Sequence, residues 1–178
     1  MRICVDAGHG GRDPGAVGTD PFRLLEKDVN LSVAEMLEGE LEAMGHDVVM
    51  TRRQDRTLGL SARAHFANRA GADLFVSIHA NAGAPTVQGM EVFHFPGSEQ
   101  GALLADRVLA EMLAAYPEHR NRGVKEAAFT VLRRTAMPAV LVELEFLTHP
   151  GQLAFLADRG SHRGLAAAIA RGVNSLRP

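Results

Sequence analysis

Short apolar runs alternate with helix-length amphipathic segments along almost the whole chain, and this alternation restricts the fold more than any other feature. Residues 2 to 6 read as a buried strand. Residues 27 to 44 read as a helix with Leu31, Ala34, Leu37, Leu41 and Met44 along one side and Gly45 at its end. A strand at His46 to Thr51, a helix at 59 to 70 and a strand at Asp73 to His79 complete a βαβαβ series. Such a series implies parallel strands joined by right-handed helical crossovers, with ligands gathering at the carboxyl ends of the strands. Further on, the pattern predicts a strand at Met90 to Phe95, a helix from Gln100 to Ala115, strands at Phe129 to Arg133 and Ala139 to Glu143, and a closing helix from Arg163 to Leu176. The polar stretch Tyr116 to Gly123 reads as a surface loop. The expected fold is therefore α/β: a single-domain twisted, mostly parallel sheet of about six strands flanked by helices on both faces, spanning residues 1–178.

Composition removes several classes of function. A formal charge of -2 and the lack of a basic cluster interleaved with aromatics argue against nucleic-acid binding. No apolar run reaches the ~18 residues of a membrane span, and the chain enters its first strand at Arg2 without a charged leader and apolar core. The lone cysteine, Cys4, lies within an apolar strand and reads as a small buried hydrophobe. The expected state is a monomer.

Where the first strand ends, Val5-Asp6-Ala7-Gly8-His9-Gly10-Gly11 wraps backbone closely around one histidine, which is how a strand end presents a metal ligand. Two further segments share that look: Glu26 in Leu24-Leu25-Glu26-Lys27, and His79 in Ser77-Ile78-His79-Ala80-Asn81. Two neutral imidazoles and one carboxylate suit zinc with a coordination position left open for water, the arrangement of a hydrolytic site. The ligands stand 17 and 53 residues apart, so no local zinc motif is present and the case rests on position in the fold. Taken singly, Glu26 could be an acid in a helix's first turn. The other histidines, His46, His65, His94, His119, His149 and His162, read as surface residues. The glycine loop is not a phosphate cradle, because Ala16 and Val17 follow Gly15 where a P-loop needs Lys and Ser or Thr.

Hydrolysis also needs a group to move a proton. Pro138 to Phe146 is an almost wholly apolar strand carrying Glu143 and Glu145 at its end, where desolvation raises a carboxyl pKa. Pattern leaves the choice between the two open.

With these residues in view, the chain resembles the zinc-dependent N-acetylmuramoyl-L-alanine amidases of bacterial cell-wall turnover, the amidase 3 family. The landmarks are the Val5 to Gly11 run, Glu26-Lys27 with Asn30-Leu31, Thr51-Arg52, Leu60 with Arg63, Ala67-Asn68, Ser77 to Asn81, Gly89 with Glu91-Val92, Val131-Leu132-Arg133 and Pro138 to Glu143. The resemblance implies zinc on His9, Glu26 and His79, Glu143 as the catalytic carboxylate, and peptidoglycan or muropeptides as substrate. Glu145 stands where the family usually has glycine. Asn81, Glu91 and Arg122 are candidates for holding substrate. The link Gly83 to Gln88 is too short for the inhibitory helix that many relatives carry, which predicts an open cleft. Work outside the cytoplasm is implied as well, and with no export signal in the chain, an excised or processed catalytic domain is expected.

Overall fold

The computed structural model describes residues 1–176. Six strands form the main sheet in the order β4-β1-β5-β8-β6-β7. They are β1 (Arg2–Ala7), β4 (Asp47–Met50), β5 (Leu74–Asn81), β6 (Met90–His94), β7 (Asn121–Glu126) and β8 (Ala139–Phe146), while β2 (Val17–Gly18) and β3 (Leu24–Leu25) pair as a small ribbon. β4, β1, β5 and β8 are mutually parallel. β6 lies antiparallel to β8 and parallel to β7, so the last two strands run the other way. The carboxyl ends of β1, β5 and β8 therefore share one end of the sheet with the amino ends of β6 and β7, and the candidate site forms there.

Helices cover both faces. On one side α1 (Glu26–Ala43), α3 (Glu99–Ala115) and α6 (Arg159–Asn174) pack over Val5, Val76, Ile78, Val92, Val140 and Val142. On the other, α2 (Leu60–Arg69) and the short α4 (Thr130–Arg134) close over Cys4, Phe75, Ala139 and Leu141. Strands buried on both faces read as continuous apolar runs, and β8, from Ala139 to Val142, is one. Gly45 ends α1 with φ 83°, a conformation that glycine adopts without steric cost. Cys4 is fully buried, and burial first, then the charge of Asp6, pushes its thiol pKa up.

Several expectations are corrected. Phe129 to Arg133 is not a strand: Val131 and Leu132 are both buried on one side, where a strand would send neighbours to opposite faces, and Thr135 Oγ1 donates back to the carbonyls of Val131 and Leu132. The supposed loop Tyr116 to Gly123 already holds the start of β7. That strand escapes the apolar pattern because it is an edge strand with a neighbour on one side only. The closing helix starts earlier, at Arg159, capped by Asp158, which accepts from Ser161 N at 2.9 Å, and a separate α5 (Pro150–Ala157) precedes it. The link between β5 and β6, by contrast, contains no helix, as its length predicts.

The histidine reading also changes. His65 is exposed, but His46, His94 and His162 are buried, and the His119 side chain is almost sealed. His149 caps α5, its Nδ1 accepting from Gly151 N at 3.1 Å. Each buried ring finds a polar partner, such as Asn174 Oδ1 for His46 and Leu156 O for His162. That is the condition for burying a polar side chain, and local sequence does not reveal it.

Candidate metal centre and active site

β1 ends at Ala7, and the chain turns at once around His9, whose φ of 59° places a non-glycine residue in the left-handed region. β5 runs through His79 to Asn81, one strand away. Glu26 is the first residue of α1, so it is indeed a first-turn acid, yet it turns inward and is only 4% exposed. Its Oε2 lies 3.1 Å from His9 Nε2, and its Oε1 lies 2.8 Å from His79 Nδ1. One ligand atom from each of the three residues falls within 4.8 Å of the others. The structure thus brings together the three residues proposed as ligands.

The surroundings hold these groups rigidly. Ala16 N donates to Glu26 Oε2 at 2.7 Å, and Ala80 N donates to Oε1 at 3.2 Å. Burial alone would raise the Glu26 pKa, but hydrogen bonds from His79 and His9, with their charge when protonated, hold it well below the usual carboxylate range. His9 Nδ1 lies 2.8 Å from Asp13 Oδ2, a carboxylate–imidazole contact that orients a ligating ring. Glycine is needed at Gly8 and Gly15: a Cβ at Gly8 would sit 2.3 Å from the His79 ring, and one at Gly15 would sit 2.3 Å from Glu26 Oε2.

Beneath the loop lies a buried polar frame that sequence reasoning missed, although Arg52 and Arg63 were among its landmarks. Asp6 accepts from Thr51 Oγ1 at 2.6 Å, Arg63 Nη1 at 2.8 Å and Ser77 Oγ at 2.7 Å. Arg63 Nη2 then donates to His9 O at 2.5 Å, and Arg52 Nη2 donates to Gly8 O at 2.9 Å. Both arginines are almost fully buried. Besides those landmarks, the sequence signal was Asp6 itself, a carboxylate within a strand that is otherwise apolar from Ile3 to Ala7.

Glu143 lies on β8 in register with His79 on one side and Glu91 on the other. Its Oε2 is buried without a hydrogen-bond partner. Burial, followed by the charges of Glu26 and Glu91, raises its pKa well above the ordinary value. Glu145 is separated from it by a β-bulge: His79 and Asn81 pair with Glu143 and Phe146, two steps against three. Its carboxylate accepts from Gly89 N at 2.7 Å and meets His119 Nδ1 at 2.8 Å. Of the two strand-end acids, Glu143 is the one with an unsatisfied oxygen.

Glu91 is 3% exposed, and it accepts from Asn81 Nδ2 at 2.7 Å, Arg122 Nε at 2.8 Å and Lys125 Nζ. The three candidate substrate residues thus meet one another, with Glu91 as their shared anchor. A cavity of about 180 Å³ lies against His9 and His79, lined also by Leu58, Leu60 and Val131. A larger one of about 550 Å³, around Phe95, Thr135 and Met137, lies at the opposite end of the sheet. Chemistry favours the smaller: the His9, Glu26, His79 trio is the cluster of potential metal ligands found among the described residues.

The donor set fits a divalent cation. Two imidazoles and a carboxylate converge, the carboxylate is poised to be charged, and an unpartnered carboxyl oxygen stands near by. Such a centre can polarise a carbonyl and serve hydrolysis.

Comparison with known proteins gives a consistent result. The family described as N-acetylmuramoyl-L-alanine amidase matches residues 3–175. The amidase LytC of Bacillus subtilis is 41% identical over 150 residues, which is 83% of this chain and 29% of LytC. The chain therefore spans less than a third of that relative. Among solved structures it is similar to the amidase AmiC2 of Nostoc punctiforme, with a TM-score of 0.92 and 38% identity over 98% of this chain and 96% of that one. It is also similar to an N-acetylmuramoyl-L-alanine amidase from Clostridium difficile 630, with a TM-score of 0.93 and 35% identity over 98% and 95% of the two chains.

Proposed function

The chain belongs to the N-acetylmuramoyl-L-alanine amidase family, and from that premise we propose that it is a zinc-dependent enzyme cleaving the amide between the lactyl group of N-acetylmuramic acid and L-alanine in peptidoglycan. The observation that carries this reading is the convergence of His9, Glu26 and His79 beside the unpartnered oxygen of Glu143. His9, Glu26 and His79 would hold the metal, which when bound supplies a Lewis acid that acidifies water and polarises the carbonyl. Glu143 takes the proton of the attacking water and returns it to the departing nitrogen as the carbon–nitrogen bond breaks, leaving a free lactyl carboxylate and a peptide with a new L-alanine amine. A pKa raised by burial suits a group that must hold a proton between accepting it and passing it on. Leu58, Leu60 and Val131 line the space beside His9 and His79, and Asn81 and Arg122, anchored on Glu91, hold substrate on the other side of Glu143. Action outside the cytoplasm follows from the substrate.

Metal analysis of protein purified without chelator, with product analysis on muropeptides, tests the reading. One zinc per chain and a new L-alanine amine are expected. The Glu143→Gln variant should keep its zinc and lose about 10²- to 10⁴-fold in turnover, the range for a removed general acid–base. Cleavage within the stem peptide, or full turnover after exhaustive chelation, would overturn the proposal.

A further inference from the structure

Two cations stand on Glu91, the cross-strand neighbour of Glu143, and their placement depends on irregular backbone. In a regular strand, residues three apart point to opposite faces. Arg122 and Lys125 nevertheless both reach Glu91 Oε2. They do so because β7 carries a bulge: Met90 to Val92 on β6 is matched by Asn121 to Val124, with Gly123 at φ 84° inside the extra step. The β8 bulge contributes as well, by setting the Phe146 ring 4.9 Å beneath the Arg122 guanidinium. Two separate bulges thus converge on one guanidinium group.

The arrangement leaves binding capacity unused. Arg122 spends Nε on Glu91 and a flat face on Phe146, while Nη1 and Nη2 have no hydrogen-bond partner among the described residues, and its side chain is 24% exposed. Lys125 is 37% exposed. Two positive charges face the single carboxylate of Glu91, so the cluster has cationic excess on its open side. Glu91 sits directly opposite Glu143 in the antiparallel register, where paired Cβ atoms lie about 5 Å apart. An anion held by Arg122 would therefore lie on the Glu91 side of Glu143.

We propose that Arg122, assisted by Lys125, is a specificity-determining subsite for a carboxylate on the peptide half of the substrate, namely a free carboxylate on the residue following L-alanine. The inference rests on the amidase reading above. The lactyl carboxyl is consumed in the scissile amide, so a negative charge near that bond must come from the peptide. The two free Nη groups match a carboxylate's two oxygens, a geometry that a primary amide cannot reproduce because its nitrogen would face another donor.

The test compares two muropeptides that differ only in that group, carboxylate or primary amide. The native enzyme should favour the carboxylate about tenfold or more in kcat/KM, with the difference in KM, as expected for one charge-assisted contact. In Arg122→Gln and in Lys125→Gln the ratio should fall towards one. The free peptide product should also inhibit the native enzyme more strongly as carboxylate than as amide, a measurement that needs no variant to fold. Equal kcat/KM for the two substrates with the native enzyme, or an unchanged ratio in both variants, would overturn the subsite while leaving amide hydrolysis intact. Failure to cleave either muropeptide would overturn the hydrolytic reading and this inference with it.

Discussion

His9 is the one non-glycine residue with positive φ among the described residues, and it stays there because its neighbours outweigh a strain of about 1–2 kcal/mol. Arg63 takes its carbonyl and Asp13 faces its Nδ1. The Asp13 side chain is 58% exposed, so the contact adds at most about 1 kcal/mol to stability. Its value lies in aiming the ring. Asp13→Ala should therefore weaken zinc binding by about 10- to 100-fold in a chelator competition while leaving the thermal midpoint of the metal-free protein nearly unchanged; unaltered affinity would remove Asp13 from the site. Asp6 behaves differently, since it is fully buried. Burial pushes its pKa up, but the charge of Arg63 and hydrogen bonds from Thr51, Ser77 and Arg63 outweigh that and hold it below the ordinary value. Unfolding then takes up a proton in acid, so this contribution is complete above about pH 4 and drains away as pH falls through the lower folded-state value. Asp6→Asn should lower stability at pH 7 and flatten its dependence below pH 4, as read by denaturant titration across pH. A variant with the native acid profile would show that Asp6 is not the group responsible.

At the scale of elements, β8 shows what one extra residue accomplishes. Without the bulge after Glu143, Glu145 would project beside it on the same face, as alternation predicts. With it, Glu145 turns into a sealed contact with His119 and the amide of Gly89. Removing Glu145 leaves His119 and the Gly89 amide without their buried partner, at about 1–3 kcal/mol for each unpaired group, which for a chain this size lowers the midpoint by roughly 10 °C. Glu145→Ala should show that loss in a thermal melt while folded protein at low temperature still hydrolyses substrate. Lost turnover with an unchanged melt would instead give Glu145 a part in the chemistry. The reversed direction of β6 and β7 matters equally. It brings Glu91 and Arg122, at the starts of their strands, to the end of the sheet where β5 and β8 finish.

Across the whole molecule, the candidate metal centre ties together β1, α1 and β5, which are joined through long stretches of chain. An ion bound there stabilises the folded state by about 4 kcal/mol when present at a thousand times its dissociation constant. Chelation should accordingly lower the thermal midpoint by roughly 10 °C, and added zinc should restore it. A midpoint indifferent to both would mean that the three side chains do not share an ion. No helix among the described residues is long and apolar enough to cross a membrane.

The alternating apolar and amphipathic segments carried the α/β class, the parallel core and the strand-end placement of His9 and His79, because those depend on local periodicity and on glycine and helix-end chemistry. The same local rules misread Phe129 to Arg133 and the edge strand β7, where packing against α2 or exposure on one side overrode the pattern. They also could not separate Glu143 from Glu145. What distinguishes the two is a bulge, which buried oxygen is left unpartnered, and the sheet register that puts Glu26 and Glu91 near Glu143. Such facts arise between strands far apart in sequence, and only the folded chain brings them into contact.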